Sequence, residues 1–132
     1  MNLALKDGIH FLTLTNGDDD NRFTTPVVRE YLAALDTIEA YKGNTALVLT
    51  SEHEKTFSTG INLDWLTQQD SAGKAEFLIV FETLLCRFAL LSAPTVACIN
   101  GNAYAGGGIL AAAADYRIMR SDRGRFCFPE VN

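Results

Sequence analysis

The stretch PTVACINGNAYAGGGILAAAADYRIMRSDRGRFCFPEVN, Pro94 to Asn132, decides the fold. After Pro94, Thr95 to Ile99 reads as an apolar strand. Three consecutive glycines follow, Gly106, Gly107 and Gly108, and open a small-residue helix that runs from Gly107 or Gly108 to Ala114. Tyr116 to Met119 reads as a further strand and Phe126 to Phe128 as a short one, with Glu130 just beyond. Glycines at the start of a helix let a ligand approach bare backbone N–H groups, with the positive end of the helix behind them. A carboxylate added to such donors gives the parts of an oxyanion hole and a general base, which points to chemistry at a carbonyl group.

Working outward, strand and helix signals alternate through the rest of the chain. The start, MNLALKDGIHFLTLTN, has a strand pattern, clearest from Gly8 to Thr15, and Asn16 to Arg22 reads as a polar loop. Thr25 followed by Pro26 has the form of an N-cap and a first helical position. Val27, Val28, Tyr31, Leu32, Leu35 and Ile38 then recur at helical spacing, and Gly43 can end the helix. Thr45 to Thr50 is a continuous apolar strand, suited to burial on both faces. Phe57 to Leu63 reads as a turn entering a short helix that contains Trp65. Ser71 caps a long helix ending near Leu91, lined by Phe77, Phe81, Leu84, Leu85, Phe88 and Leu91, a stripe that suits a core, a subunit interface or an acyl-binding groove. The alternation predicts an α/β fold with parallel pairing. Segments 45–66 and 95–115 share a strand–glycine turn–helix plan, a weak internal repeat.

Composition narrows the function. The chain has 132 residues, enough for one domain, and is 48% hydrophobic and 20% charged. Its net charge of −5 and lack of a basic patch argue against nucleic acid as a partner. No segment has the apolar length of a membrane span, and the start lacks the pattern of a signal peptide. Cys86, Cys98 and Cys127 fit neither a zinc site nor a redox pair and read as buried thiols of a reducing compartment. His10 on a strand and His53 in a charged loop read as structural or solvated. The run Asp18, Asp19, Asp20 reads as a solvated loop, because neighbouring carboxylates splay and do not converge on a metal. No metal is expected.

The segments KTFSTGINLDWL (55–66) and PTVACINGNAYAGGGILAAAADYRIMRSDRGRFCFPEV (94–131) resemble the two signature regions of the crotonase, or enoyl-CoA hydratase/isomerase, family. The resemblance implies a crotonase-like ββα spiral, with residues 1–132 forming the N-terminal part of a single domain, truncated before a C-terminal helical region that builds trimers or dimers of trimers. It implies an acyl-CoA thioester as substrate, with coenzyme A part of that substrate and no separate cofactor. The oxyanion donors would be the N–H groups of Ile61 and Gly107. Ser58, Thr59, Gly60, Leu63, Gly106 and Leu110 would lie against the substrate, and Gly107 would stay free of a Cβ that obstructs the thioester.

One departure from the family pattern sharpens the reading. Hydratases of the family carry two glutamates, and the first of those positions is Leu110 here, while the second is Glu130. A single carboxylate suits a double-bond shift, so the chain looks most like a Δ3,Δ2-enoyl-CoA isomerase of fatty-acid β-oxidation, with Glu130 buried against Leu110 and phenylalanines as sole acid/base. Other crotonase-type reactions, hydration included, and a non-catalytic acyl-CoA-binding role are the alternatives. Without the motif, Glu130 would read as a surface acid paired with Arg123 or Arg125. The resemblance implies a cytoplasmic setting in a bacterium and a peroxisomal one in a eukaryote. A chain ending here should expose Phe126, Phe128 and the Phe77/Phe81 stripe.

Overall fold

The computed structural model describes residues 1–131. It begins with a hairpin, β1 (Asn2–Lys6) and β2 (Ile9–Leu14), where the sequence pattern suggested one strand. The turn is Asp7-Gly8, both at positive φ (+51° and +78°), the conformation that matches the twist of a two-residue hairpin. Helix α1 (Thr25–Glu39) follows, capped by Thr24 and not Thr25, with Pro26 in its first turn.

Three units of the same plan come next. The first is β3 (Ala46–Ser51), β4 (Thr56–Ser58) and the short helix α2 (Leu63–Thr67). Helix α3 (Ser71–Ala89) then crosses to the second unit, β5 (Thr95–Ile99), β6 (Asn102–Tyr104) and α4 (Gly106–Ala112). The third is β7 (Tyr116–Met119), β8 (Phe126–Cys127) and a 3₁₀ turn, Pro129–Val131. The repeat seen in the sequence is therefore real and extends by one unit.

Each unit gives its longer strand to one sheet and its shorter strand to another. The large sheet has the order β1-β2-β3-β5-β7, parallel from β2 onward. The small sheet has the order β4-β6-β8 and is parallel throughout. The parallel α/β expectation holds, but the second sheet was not visible in the sequence, because strands of two or three residues carry no periodicity. Strand β3 alternates between buried and half-buried residues, so the expected double-sided burial is only partial.

The core lies where the large sheet meets α1 and α3. Leu12, Leu47, Leu49 and Ile99 of the sheet share one buried cluster with Leu35, Phe77, Leu84 and Phe88 of the helices. Phe81 stands 5.0 Å from the Phe23 ring and 5.7 Å from the Phe77 ring. The Phe77/Phe81 stripe is thus buried and not exposed, because Phe23 and Trp65, distant in sequence, cover it. Burying each such ring contributes about 1.5–3 kcal/mol. Asp70, not Ser71, caps α3, accepting from the Gly73 N–H at 2.8 Å. Asp115 pairs with neither Arg117 nor Arg120; its carboxylate accepts from the N–H and hydroxyl of Thr95 and fixes the start of β5. His10 is structural: it is buried, its Nδ1 lies 2.7 Å from the Thr45 hydroxyl, and Tyr41 packs edge-on against its ring.

The cysteines differ from expectation. Cys86 is exposed on α3, while Cys98 and Cys127 are half-buried. Burial pushes the Cys98 thiol up from its ordinary range. Thiolates, not thiols, are alkylated. Iodoacetamide near neutral pH should therefore modify Cys86 before Cys98, read by peptide mass mapping; Cys98 reacting first would contradict this placement.

Candidate active site

The small sheet positions the predicted residues. Its strands run parallel and side by side, so their carboxyl ends lie together, about 4.8 Å apart from strand to strand. Ile61 lies three residues beyond the end of β4 at Ser58, Gly107 three beyond the end of β6 at Tyr104, and Glu130 three beyond the end of β8 at Cys127. Open α/β sheets place their ligand sites at this end of the strands. The three residues that the sequence assigned to the chemistry therefore come from equivalent places in adjacent units.

The first unit is held from both sides. Phe23 N–H donates to Gly60 O at 2.8 Å, and Asn62 N–H donates to Phe23 O at 2.9 Å. These bonds form an isolated parallel bridge between Phe23 and Ile61, which turns the Ile61 N–H away from Phe23. Among the described residues nothing accepts from it. Gly60 has φ +94°, and a Cβ there would stand 2.8 Å from Gly106 N, so only glycine lets this loop meet the start of α4. Asn62 caps α2 by accepting from Trp65 N–H at 2.9 Å. Asp64 sits in that helix's first turn, 3.5 Å from Arg22, where a carboxylate suits the positive end of the helix.

The second unit enters α4 through Ala105, which takes φ +49° and ψ −126° without a side-chain cap. The first N–H groups of a helix have no acceptor within it, and those of Gly106, Gly107 and Gly108 open the helix. All three glycines are buried. A Cβ on Gly107 would lie 2.3 Å from Ser58 O. The glycine is required by close packing of α4 on β4, and its missing Cβ points at protein and not at a thioester.

The third unit is tied to the second. Ala105 N–H donates to Cys127 O at 3.0 Å, and a Cβ on Gly108 would stand 3.2 Å from the Phe128 ring. Glu130 follows in the Pro129–Val131 turn and is exposed, against the expectation that Leu110 and phenylalanines bury it. Leu110 points into the core, fully buried, so it does not line an open surface. Nothing among residues 1–131 covers the Glu130 turn. Arg123 pairs with Glu54 and Asp122 instead of Glu130. Phe126 is exposed as expected, and Phe128 is half-buried.

Two further placements correct the sequence reading. Ser58 is completely buried, and its side chain meets protein groups where a ligand contact was expected. The loop at Asp18–Asp20 is not merely solvated: Asp19 pairs with Arg22 and accepts from Asn62, and Asp20 accepts from Thr56. The hydrogen bond that Arg22 donates to the Asp19 carboxylate pushes its guanidinium up from its ordinary value. Leu63 is 63% exposed at the loop's outer side, and Thr59 is half-buried with its N–H on Asp20 O. Among the described residues no cluster of three or more His, Cys, Asp or Glu forms a metal site. No helix among them is long and apolar enough to cross a membrane.

Sequence reasoning missed Asn21. It is buried at positive φ (+50°), donates to Ser51 Oγ and Phe57 O at 2.9 Å each, and accepts from Asn16 N–H through its side-chain oxygen. An asparagine in a polar loop gives no sign of such a role; only the fold brings these partners to it.

Comparison with known proteins bears on this geometry. Residues 4–132 match the model of a family described as Enoyl-CoA hydratase/isomerase. Enoyl-CoA delta isomerase 3 of Arabidopsis thaliana is 32% identical over 133 residues, covering 96% of this chain and 55% of that protein. The peroxisomal enoyl-CoA delta isomerase 2 of the same plant is 32% identical over 132 residues, with the same coverage. The crystal structure of an enoyl-CoA hydratase from Bacillus halodurans superposes with a TM-score of 0.85 at 25% identity, over 92% of this chain and 50% of that one. The chain spans about half the length of the relatives it matches.

Proposed function

The chain belongs to the enoyl-CoA hydratase/isomerase family, and we propose that it supplies the oxyanion-binding and acid/base part of an acyl-CoA double-bond isomerase. The observation that carries the reading is the common origin of Ile61, Gly107 and Glu130 at the carboxyl ends of β4, β6 and β8. In this reading the N–H groups of Ile61 and Gly107 hold the thioester oxygen of a 3-enoyl-CoA. Glu130 takes a proton from C2, the negative charge passes to the oxygen, and the donors stabilise it as it develops. The same carboxyl group returns the proton at C4, giving the 2-enoyl-CoA. Coenzyme A is carried by the substrate, and no other cofactor is invoked.

Leu110 favours isomerisation over hydration. Water addition divides its work between two carboxylates, and an apolar, buried side chain holds the place of one of them. The names of the plant relatives agree with this choice. We further propose fatty-acid β-oxidation as the setting, a trimer or dimer of trimers as the assembly, and a cytoplasmic location in a bacterium or a peroxisomal one in a eukaryote.

The exposure of Glu130 favours one competing reading, an acyl-CoA-binding module without chemistry. Exchange separates them. In heavy water the protein should introduce deuterium at C2 of hexanoyl-CoA, read by mass spectrometry. Binding of hexanoyl-CoA with no exchange would favour the binding module and sink the isomerase reading.

A further inference from the structure

We infer that Ser58 is a positioning residue: its buried hydroxyl sets the direction of the Ile61 N–H. This rests on reading that N–H as a thioester donor. Ser58 is fully buried, one turn of chain before Ile61. Its Oγ donates to the main-chain carbonyl of Asn21 at 2.9 Å and accepts from Gly60 N–H at 3.2 Å. A hydroxyl has one proton to give, so both bonds are satisfied only in this sense.

The effect is to engage main-chain groups on both sides of the Ile61 N–H while leaving that N–H without an acceptor among the described residues. Ser58 takes Gly60 N–H, Phe23 N–H takes Gly60 O, and Phe23 O takes Asn62 N–H. The peptide between Gly60 and Ile61 is thereby held at its carbonyl by Phe23, while Ser58 fixes the preceding peptide. Rotation of either would swing the Ile61 N–H away from the oxygen it serves. The anchor is itself rigid: the Asn21 side chain is bound to Ser51, Phe57 and Asn16. A donor held in this way needs no reorganisation when charge develops, which is the source of its advantage.

The test is the infrared carbonyl stretch of bound hexanoyl-CoA, read by isotope difference and paired with steady-state kinetics on 3-hexenoyl-CoA. Polarisation by the two donors lowers the stretch in the wild-type protein. Ser58→Ala is expected to return it toward the solution value and lower kcat by about 10–100-fold, with KM changed less than threefold. Removing an oxyanion donor outright costs about 10²–10³, and a misaligned donor loses part of that. Ser58→Cys, whose thiol gives and accepts weak hydrogen bonds in the same place, should fall between the two and decides the matter if the alanine variant does not fold. Asp115→Ala, which loosens the start of β5, should lose stability but keep the shift. A full wild-type shift and kcat in folded Ser58→Ala, or in Ser58→Cys when only that folds, would overturn the role of Ser58. An unshifted carbonyl in the wild-type protein would instead overturn the oxyanion reading on which it rests.

Discussion

Glu130→Gln is expected to lower isomerisation of 3-hexenoyl-CoA by about 10²–10⁴, the range contributed by a positioned general acid/base. Glutamine keeps the shape and the polarity but cannot carry the proton between C2 and C4. Binding should change little, because Glu130 is exposed and makes no ion pair among the described residues. Stability should also change little, since exposed substitutions outside such features usually stay within about 0.5 kcal/mol. The expected signature is therefore a fall in kcat with nearly constant KM and melting temperature. A parallel loss of stability would mean that Glu130 holds the turn and does no chemistry.

Gly107→Val should have the largest structural effect. Any Cβ at this position would stand 2.3 Å from Ser58 O and 2.7 Å from Ser58 C. Backbone cannot rotate aside as a flexible side chain would, so α4 must lift from β4 or β4 must shift. Overpacking a tight site costs typically 1–3 kcal/mol and occasionally more. With backbone as the obstacle the upper end applies, and about 3 kcal/mol corresponds to a fall in Tm of roughly 10 °C for a domain of this size. Gly107→Ala should show much of the same loss, because it already carries the offending atom. Gly73→Ala is the contrasting case: its Cβ would meet the Gln69 side chain on the exposed start of α3. Thermal melting should place it within about 1 kcal/mol of the wild type. If Gly107→Ala melted like the wild type, the packing argument for this glycine would fail.

How much of this the sequence carried depends on the range of each interaction. The long strands β3, β5 and β7 were legible because their apolar runs are local signals bounded by proline, glycine or polar turns. Strands β4, β6 and β8 were not recognisable as a sheet, since their pairing joins short segments far apart in the chain. Both cap assignments missed by one residue, Thr25 for Thr24 and Ser71 for Asp70, because neighbouring residues of suitable chemistry compete for the same N–H groups. The hairpin turn at Asp7-Gly8 is a local signal, but the strand patterns on its two sides merge into one across so short a turn. Ile61 and Gly107 were named from motif resemblance, and they lie three residues beyond the ends of β4 and β6. Ser58 was assigned to the ligand by the same resemblance, yet its partner Asn21 lies 37 positions away in sequence. A hydroxyl reaching a distant carbonyl leaves no local trace. Glu130 was expected in an apolar setting that residues 1–131 do not provide.

The most direct measurement is a spectrophotometric assay of 3-hexenoyl-CoA with the wild-type and Glu130→Gln proteins, run beside hydration of crotonyl-CoA. Conjugation of the double bond by the wild type is expected, with at least about 10² slower turnover in the variant and no hydration by either. Hydration by the wild type, full activity of the Glu130→Gln protein, or binding of the thioester without turnover would contradict the isomerase reading.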